Sequence, residues 1–206
     1  MGLAERKERE KTELRNLILE KAKDVFLRDG QEGLSIRKIA AEIEYSPATI
    51  YLYFQDKDEL IHHLMEKGFE LLTNEMKDIF QETDARRRAM LIGTKYVEFG
   101  FENKDWYSIM FNSEAPMNHI QRCKEEWCEG ISFFDFFVAT CKEALEASGK
   151  GELDARIVAL QLWSLSHGLV NLSHARRLEV VDTIPDLELI EKTLEAAGLI
   201  YFNYKF

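Results

Sequence analysis

Proline is scarce in this chain, with three in 206 residues, so little interrupts helices and long ones are expected. Cysteine is equally sparse. Cys123, Cys128 and Cys141 are odd in number and lack Cys-x-x-Cys spacing, which excludes a disulfide framework and leaves idle thiols or a redox-sensing thiol as readings. No apolar run reaches the length of a membrane span: Ile131–Cys141 is too short and is interrupted by Asp135. The amino terminus is charged rather than apolar, unlike a secretory signal, so the expected location is cytoplasmic with no membrane partner. Net positive charge is also missing. At −10 the chain is a poor candidate for coating nucleic acid non-specifically. Catalytic signatures are absent too, with no Gly-x-Ser-x-Gly, P-loop, His-Glu-x-x-His or Gly-x-Gly-x-x-Gly. His62 and His63 are adjacent and point apart, while His167 and His174 lie two turns from each other, too far for direct chelation. No enzyme, cofactor or metal is expected.

What is present reads as all-α. Hydrophobic residues make up 46% and charged residues 31%, a globular balance. The acidity is uneven. Residues 1–67 hold 12 Lys/Arg and 14 Asp/Glu, leaving 15 and 23 for the rest, so the first third is near neutral and free to approach a polyanion. Leu14, Leu17, Ile18, Ala22, Val25 and Phe26 repeat at helical spacing, and Asp29-Gly30 is a stop signal. Ser35 is placed to cap a short helix with the apolar stripe Ile36, Ile39, Ala40 and Ile43. After a turn at Glu44-Tyr45, Ser46 caps a second short helix with Pro47 at its first position. Ile50 and Phe54 face inward there; Thr49, Tyr51 and Tyr53 face out or along the flank. Asp56 and Glu59 form a capping box for a longer helix whose apolar pattern runs to Phe80.

Short helix, turn, short hydroxyl-bearing helix is the logic of a helix-turn-helix, whose second helix enters the major groove. The strings Ser-x-Arg-x-Ile-Ala, Ser-Pro-Ala-Thr-Ile-Tyr-x-Tyr-Phe and Lys-Asp-Glu-Leu, in order over residues 12–66, resemble the DNA-binding signature of the tetracycline-repressor (TetR) family. One departure stands out: family members usually place Gly in the turn, and here it is Glu44. The resemblance implies that Arg37 reaches phosphate or a base edge, and that Ser46, Pro47, Ala48 and Tyr51 meet the groove. It also implies that Thr49, Tyr53 and Lys57 hold phosphates. The basic residues Arg6, Lys7, Arg9 and Lys11 are interleaved with glutamates and read as a solvated helix start or as an arm on the DNA backbone.

Residues 68–206 are expected to form a larger helical domain for ligand binding and dimerisation. Helices are expected over 90–101, 120–145 and 154–178, with a segment that begins at 106–111 and ends near Pro116, a last one from 183, a break at 103–105, and a loop at 148–151. Arg86, Arg87 and Arg88 read as a solvated helix start, with an anion site as the alternative. Of the 23 aromatic residues, 18 fall here. Phe99, Trp106, Tyr107, Phe111, Trp127, Phe133, Phe137 and Trp163 are candidates to line an apolar cavity, with His167 or His119 as a polar anchor. The seam Leu187, Ile190, Leu194, Ala197 and Tyr201, beside a helix apolar on two sides, predicts a homodimer through the last two helices. The segment Leu-Trp-Ser-Leu-Ser-His-Gly-Leu-Val-Asn-Leu is similar to a TetR subgroup with a Trp-His-Gly motif. The resulting expectation is a homodimeric repressor, released from a palindromic operator by a small apolar or aromatic effector. The alternatives are a thiol-redox regulator and a helical metabolite-binding protein that ignores DNA.

Overall fold

The computed structural model describes residues 2–111, 113, 115–123, 128–180 and 185–205, without the side chains of Leu3, Ala115, Arg122, Cys123, Cys128 and Glu129. All regular structure among them is helical, and they fall into two compact units, 1–68 with 105–127, and 69–104 with 128–206.

The first unit begins with α1 (Leu3–Gly33), interrupted at Gly30, whose φ of 71° only glycine adopts without strain. The expected stop at Asp29-Gly30 is therefore a break followed by one more turn. Ser35 caps α2 (Ile36–Glu42) by accepting from the Lys38 N–H, and Ser46 caps α3 (Pro47–Ile50) by accepting from the Thr49 N–H. Between them the chain closes a Schellman turn. The Tyr45 N–H donates to the Ala40 carbonyl at 2.9 Å and the Glu44 N–H to the Ala41 carbonyl at 3.3 Å. This geometry demands a left-handed residue, and Glu44 takes it with φ 59°. α4 (Lys57–Glu75) follows, with Asp56 accepting from the Glu59 N–H. The Glu59 carboxylate reaches back to the Gln55 N–H, one residue before the expected cap. The helix also stops short of Phe80, and Ile79–Gln81 form a separate 3-10 turn.

Ile18, Ala22, Ile39, Ala40, Ile50, Phe54, Leu60 and Leu64 build the core of this unit, each 1% exposed or less. Enclosure of that degree means that truncating Ile50 to Ala costs about 2–5 kcal/mol. α6 (Lys104–Phe111) contributes Ile109 to the same core. Met110 of α6 lies where a Cβ on Gly68 would sit, so α4 and α6 approach closely only because residue 68 lacks a side chain. α7 (Ala115–Cys123) starts just before Pro116, so that proline opens a helix rather than closing one. The single helix expected over 120–145 corresponds to α7 and α8, with residues 124–127 outside the described set.

In the second unit α5 (Ala85–Glu102), capped by Asp84, packs on α8 (Cys128–Ala147), α9 (Ala155–His174) and α10 (Asp186–Phe202). The expected loop after Ser148 is present, closed by Gly149 at φ 69°. Two expectations are corrected here. Arg88 is not a solvated member of a helix start; its side chain is 11% exposed and donates to the Glu82 carbonyl (2.7 Å), Thr140 Oγ1 (3.3 Å) and the Glu143 carboxylate (2.5 Å). Ile190, Leu194 and Ala197 are not a seam awaiting a second copy, because they are buried within the unit itself. The apolar side chains that α9 and α10 leave exposed are instead Ile157, Leu160 and Leu172, and Leu187, Leu199 and Ile200. Among the described residues no helix is long and apolar enough to cross a membrane.

Candidate functional site

The turn and its two caps fix where the polar residues of the helix-turn-helix stand. Ile50 and Phe54 are sealed into the core, so the opposite side of α3 is held outward. The helical path continues past Ile50: the Leu52 N–H donates to the Thr49 carbonyl at 3.2 Å and the Tyr53 N–H to the Ile50 carbonyl at 2.9 Å. Ser46, Pro47, Ala48 and Tyr51 are exposed, while Thr49 and Tyr53 are half-buried. The Ser46 and Thr49 hydroxyls share a hydrogen bond of 3.0 Å. Arg37 projects from α2 into solvent and has no ion-pair partner among the described residues. Lys57, at the first position of α4, donates from Nζ to the Gln31 carbonyl at 3.3 Å.

An ion-pair chain ties the end of α1 to α2. Arg28 of α1 contacts both Asp29 and Glu42 of α2, and Lys38 reaches Asp29 at 2.9 Å. Hydrogen bonds from Arg28 and then Lys38 hold the Asp29 carboxyl below its ordinary range. The pairs are solvent-exposed and screened, so their role is geometric more than energetic. An open groove of about 530 Å³ is lined by Lys7, Lys11, Glu10, Glu13, Leu14, Leu17, Tyr45 and Tyr53. Its mixed charge matches the interleaved pattern of the first residues.

Leu52, which was not among the expected contact residues, is 79% exposed on the same segment. Two features of the sequence could have found it: it lies four residues after Ala48 and two after the inward Ile50.

The cavity candidates divide between the units. Trp106, Tyr107 and Phe111 belong to the first. Tyr107 is buried against Phe111 (4.8 Å between ring centres), and Lys23 Nζ sits 4.7 Å from the Trp106 ring centre. His119 is buried and stacks on His62 at 5.0 Å, the setting of a packed histidine rather than of an anchor in the second unit. Phe99, Phe133, Phe137, Trp163 and His167 belong to the second unit, and Trp127 lies outside the described residues. Phe99 is fully enclosed, whereas Phe137 lines a small cleft of about 20 Å³ with Met90, Leu162 and Leu194, room for one water. Trp163 and His167 are joined by a residue the sequence reading missed. Tyr96 Oη accepts from Trp163 Nε1 at 3.2 Å and bonds His167 Nδ1 at 3.1 Å. Burial holds the His167 imidazole below its usual range. Nothing in the spacing of Tyr96 separates it from a core tyrosine; only the fold brings it to the histidine.

Cys141 is fully buried and its thiol is pushed up to about 12 by that burial, so it is not a reactive thiolate. Among the described residues no group of three His, Cys, Asp or Glu is placed to hold a metal ion.

Comparison with known proteins agrees with the helix-turn-helix geometry. Residues 18–64 match the bacterial regulatory proteins of the tetR family, and residues 89–197 match the tetracyclin repressor-like C-terminal domain. An uncharacterized HTH-type transcriptional regulator from Haemophilus influenzae is 34% identical over 189 residues, covering 90% of this chain and 94% of that protein. A protein of unknown function from Rhodococcus sp. RHA1 shares the fold with a TM-score of 0.73 at 24% identity, covering 92% of this chain and 95% of its own. A putative TetR-family regulator from Syntrophomonas wolfei gives 0.69 at 18%, covering 93% and 96%. The likeness to a Trp-His-Gly subgroup rests on residues 162–172 alone. With both its reading head and its C-terminal half matched, the chain belongs to the TetR family of bacterial transcriptional regulators, which bind DNA, dimerise and carry out no catalysis.

Proposed function

We propose that two copies of the chain read a palindromic operator through α3, and that a small apolar or aromatic effector releases them as from a repressed promoter. Residues 1–67 act as the DNA-reading segment, whose core α6 completes, and the rest of 68–206 as the effector-binding and dimerisation domain. Arg37 reaches from α2 to phosphate or a base edge; Ser46, Pro47, Ala48 and Tyr51 meet the groove wall and bases. Thr49, Tyr53 and Lys57 hold phosphates, which fixes register without reading sequence. The single observation carrying this reading is the doubly capped α2–turn–α3 unit, which presents small and hydroxyl-bearing side chains outward over a sealed core.

The dimer forms through α9 and α10. Their exposed Ile157, Leu160, Leu172, Leu187, Leu199 and Ile200 support an isologous contact, and its two-fold axis makes the operator palindromic. Phe99, Phe133, Phe137 and Trp163 supply apolar lining within the second unit, and His167 with Tyr96 offers a polar anchor. An effector acts through α4, whose residues fall on both sides of the unit boundary. It must bind the DNA-incompetent state more tightly, and DNA must then weaken its binding by the same factor.

Selection from random duplex DNA at low salt, with thiols reduced, tests the reading. A recovered palindrome with half-sites about one helical turn apart or somewhat more supports it. Lys57→Ala then weakens binding to all sequences alike and lowers the slope of log affinity on log salt by about 1. No enrichment, with no small molecule released on denaturation, refutes it.

A further inference from the structure

The outermost line of the reading segment is apolar. α3 ends at Ile50 and continues to Tyr53 as a tighter turn; at about 100–120° per residue, Ala48 and Leu52 both point away from the side that carries Ile50 and Phe54. Ile50 and Phe54 are sealed in at 0% and 1% exposure, and the hydrogen-bonded path runs unbroken from Pro47 to Phe54. That path therefore aims Ala48 and Leu52 straight away from the protein. Leu52 is 79% exposed and flanked by Tyr51 and Tyr53. A lone exposed leucine elsewhere on a protein surface is ordinary. On the operator reading above it faces the groove, where its side chain can neither hold a phosphate nor offer a hydrogen bond. The major groove displays one apolar group, the C5-methyl of thymine.

We propose that Leu52, with Ala48 beside it, packs on a thymine C5-methyl in each operator half-site and so sets a base preference that the polar residues of the face do not. The inference rests on the operator reading above and goes beyond it by naming the group that is read. Burying one methyl against Leu52 is worth a factor of about four in affinity per half-site.

The test uses the full-length dimer and the selected operator, with each half-site thymine replaced in turn by deoxyuridine, which removes only the methyl. One position is expected at which the wild-type protein loses about fourfold per half-site while Leu52→Ala loses clearly less. At that position, cytosine in place of thymine weakens binding, and 5-methylcytosine recovers the methyl's share chiefly in the wild type. Leu52 makes little contact within the chain, so an unchanged melting temperature for Leu52→Ala shows that folding is not the cause. A selected operator that tolerates deoxyuridine at every thymine, or that responds equally in both proteins, overturns the assignment and leaves the operator reading standing. Failure to select any operator overturns both.

Discussion

Glu44 offers a sharp test of the turn that aims the reading helix. It sits at φ 59°, in the left-handed region, as the residue that closes the Schellman turn after α2. A residue with a Cβ loses about 1–2 kcal/mol in that conformation. Replacing it with glycine removes the strain, while the freer unfolded chain takes back about 0.4–1 kcal/mol. The net expectation for Glu44→Gly is a gain of about 0.5–1 kcal/mol, or about 1–4 °C in melting temperature for a chain of this size. The turn's two hydrogen bonds are main-chain to main-chain, so glycine preserves them. Operator affinity should then hold or rise, since one exposed negative charge leaves the vicinity of the DNA. Glu44→Val should move stability the other way, because a β-branched residue fits a positive φ worst. Thermal unfolding followed by circular dichroism, with urea midpoints at an unchanged slope, measures both changes. If glycine lowers the melting temperature, or glycine and valine prove equally neutral, the strained left-handed turn is refuted.

Arg88→Met should cost about 2–4 kcal/mol, because the Glu82 carbonyl and the buried Thr140 hydroxyl lose their donor. Arg86→Met, two positions earlier, with a surface pair to Asp84 and the Tyr204 ring centre 5.8 Å from its guanidinium, should cost no more than about 1 kcal/mol, and equal losses in urea titrations would contradict the contrast. Burial holds His167 and His174 below the usual imidazole range, so the folded state favours their neutral forms. Their contribution is complete above the ordinary value of 6.5 and declines as pH falls toward the lower folded-state values. Urea midpoints should drop between about pH 7 and pH 5.5 by less in His167→Gln than in wild type; identical profiles would refute the linkage. Cys141 should resist iodoacetamide until the chain unfolds, as read by peptide mass mapping, and rapid native labelling would contradict its burial.

The reading head was legible because each of its features is local. Caps, the Pro47 start, the turn and the alternation of Ile50 and Phe54 all act within a few residues, so spacing alone reveals them. Even the odd residue was informative, since Glu44 stands where the geometry demands a left-handed conformation and the structure places it there. The rest depends on which helix faces which. A seam such as Ile190, Leu194 and Ala197 has the same period whether it meets a second copy or the chain's own α5, and here it is buried at home. Arg88 looked like its neighbours until α8 supplied Thr140 and Glu143. Tyr96 could not be singled out before α5 and α9 brought it to His167. Periodicity says that a face is covered, not by what.

The units are interleaved along the chain, and that has a bearing on portability. The path crosses between them after residues 68, 104 and 127. Ile109 fills the first unit's core, Met110 occupies the space left open at Gly68, and Ser113 bonds the Gln31 side chain at 2.8 Å. A fragment ended at residue 68 would therefore expose the surface that α6 and α7 cover, and a ribosome has to deliver roughly 40 further residues past α4 before the DNA-reading unit can complete itself. Grafting this protein's specificity onto another sensor means transplanting two separated segments together, because a single splice after α4 would move the reading surface without its lining.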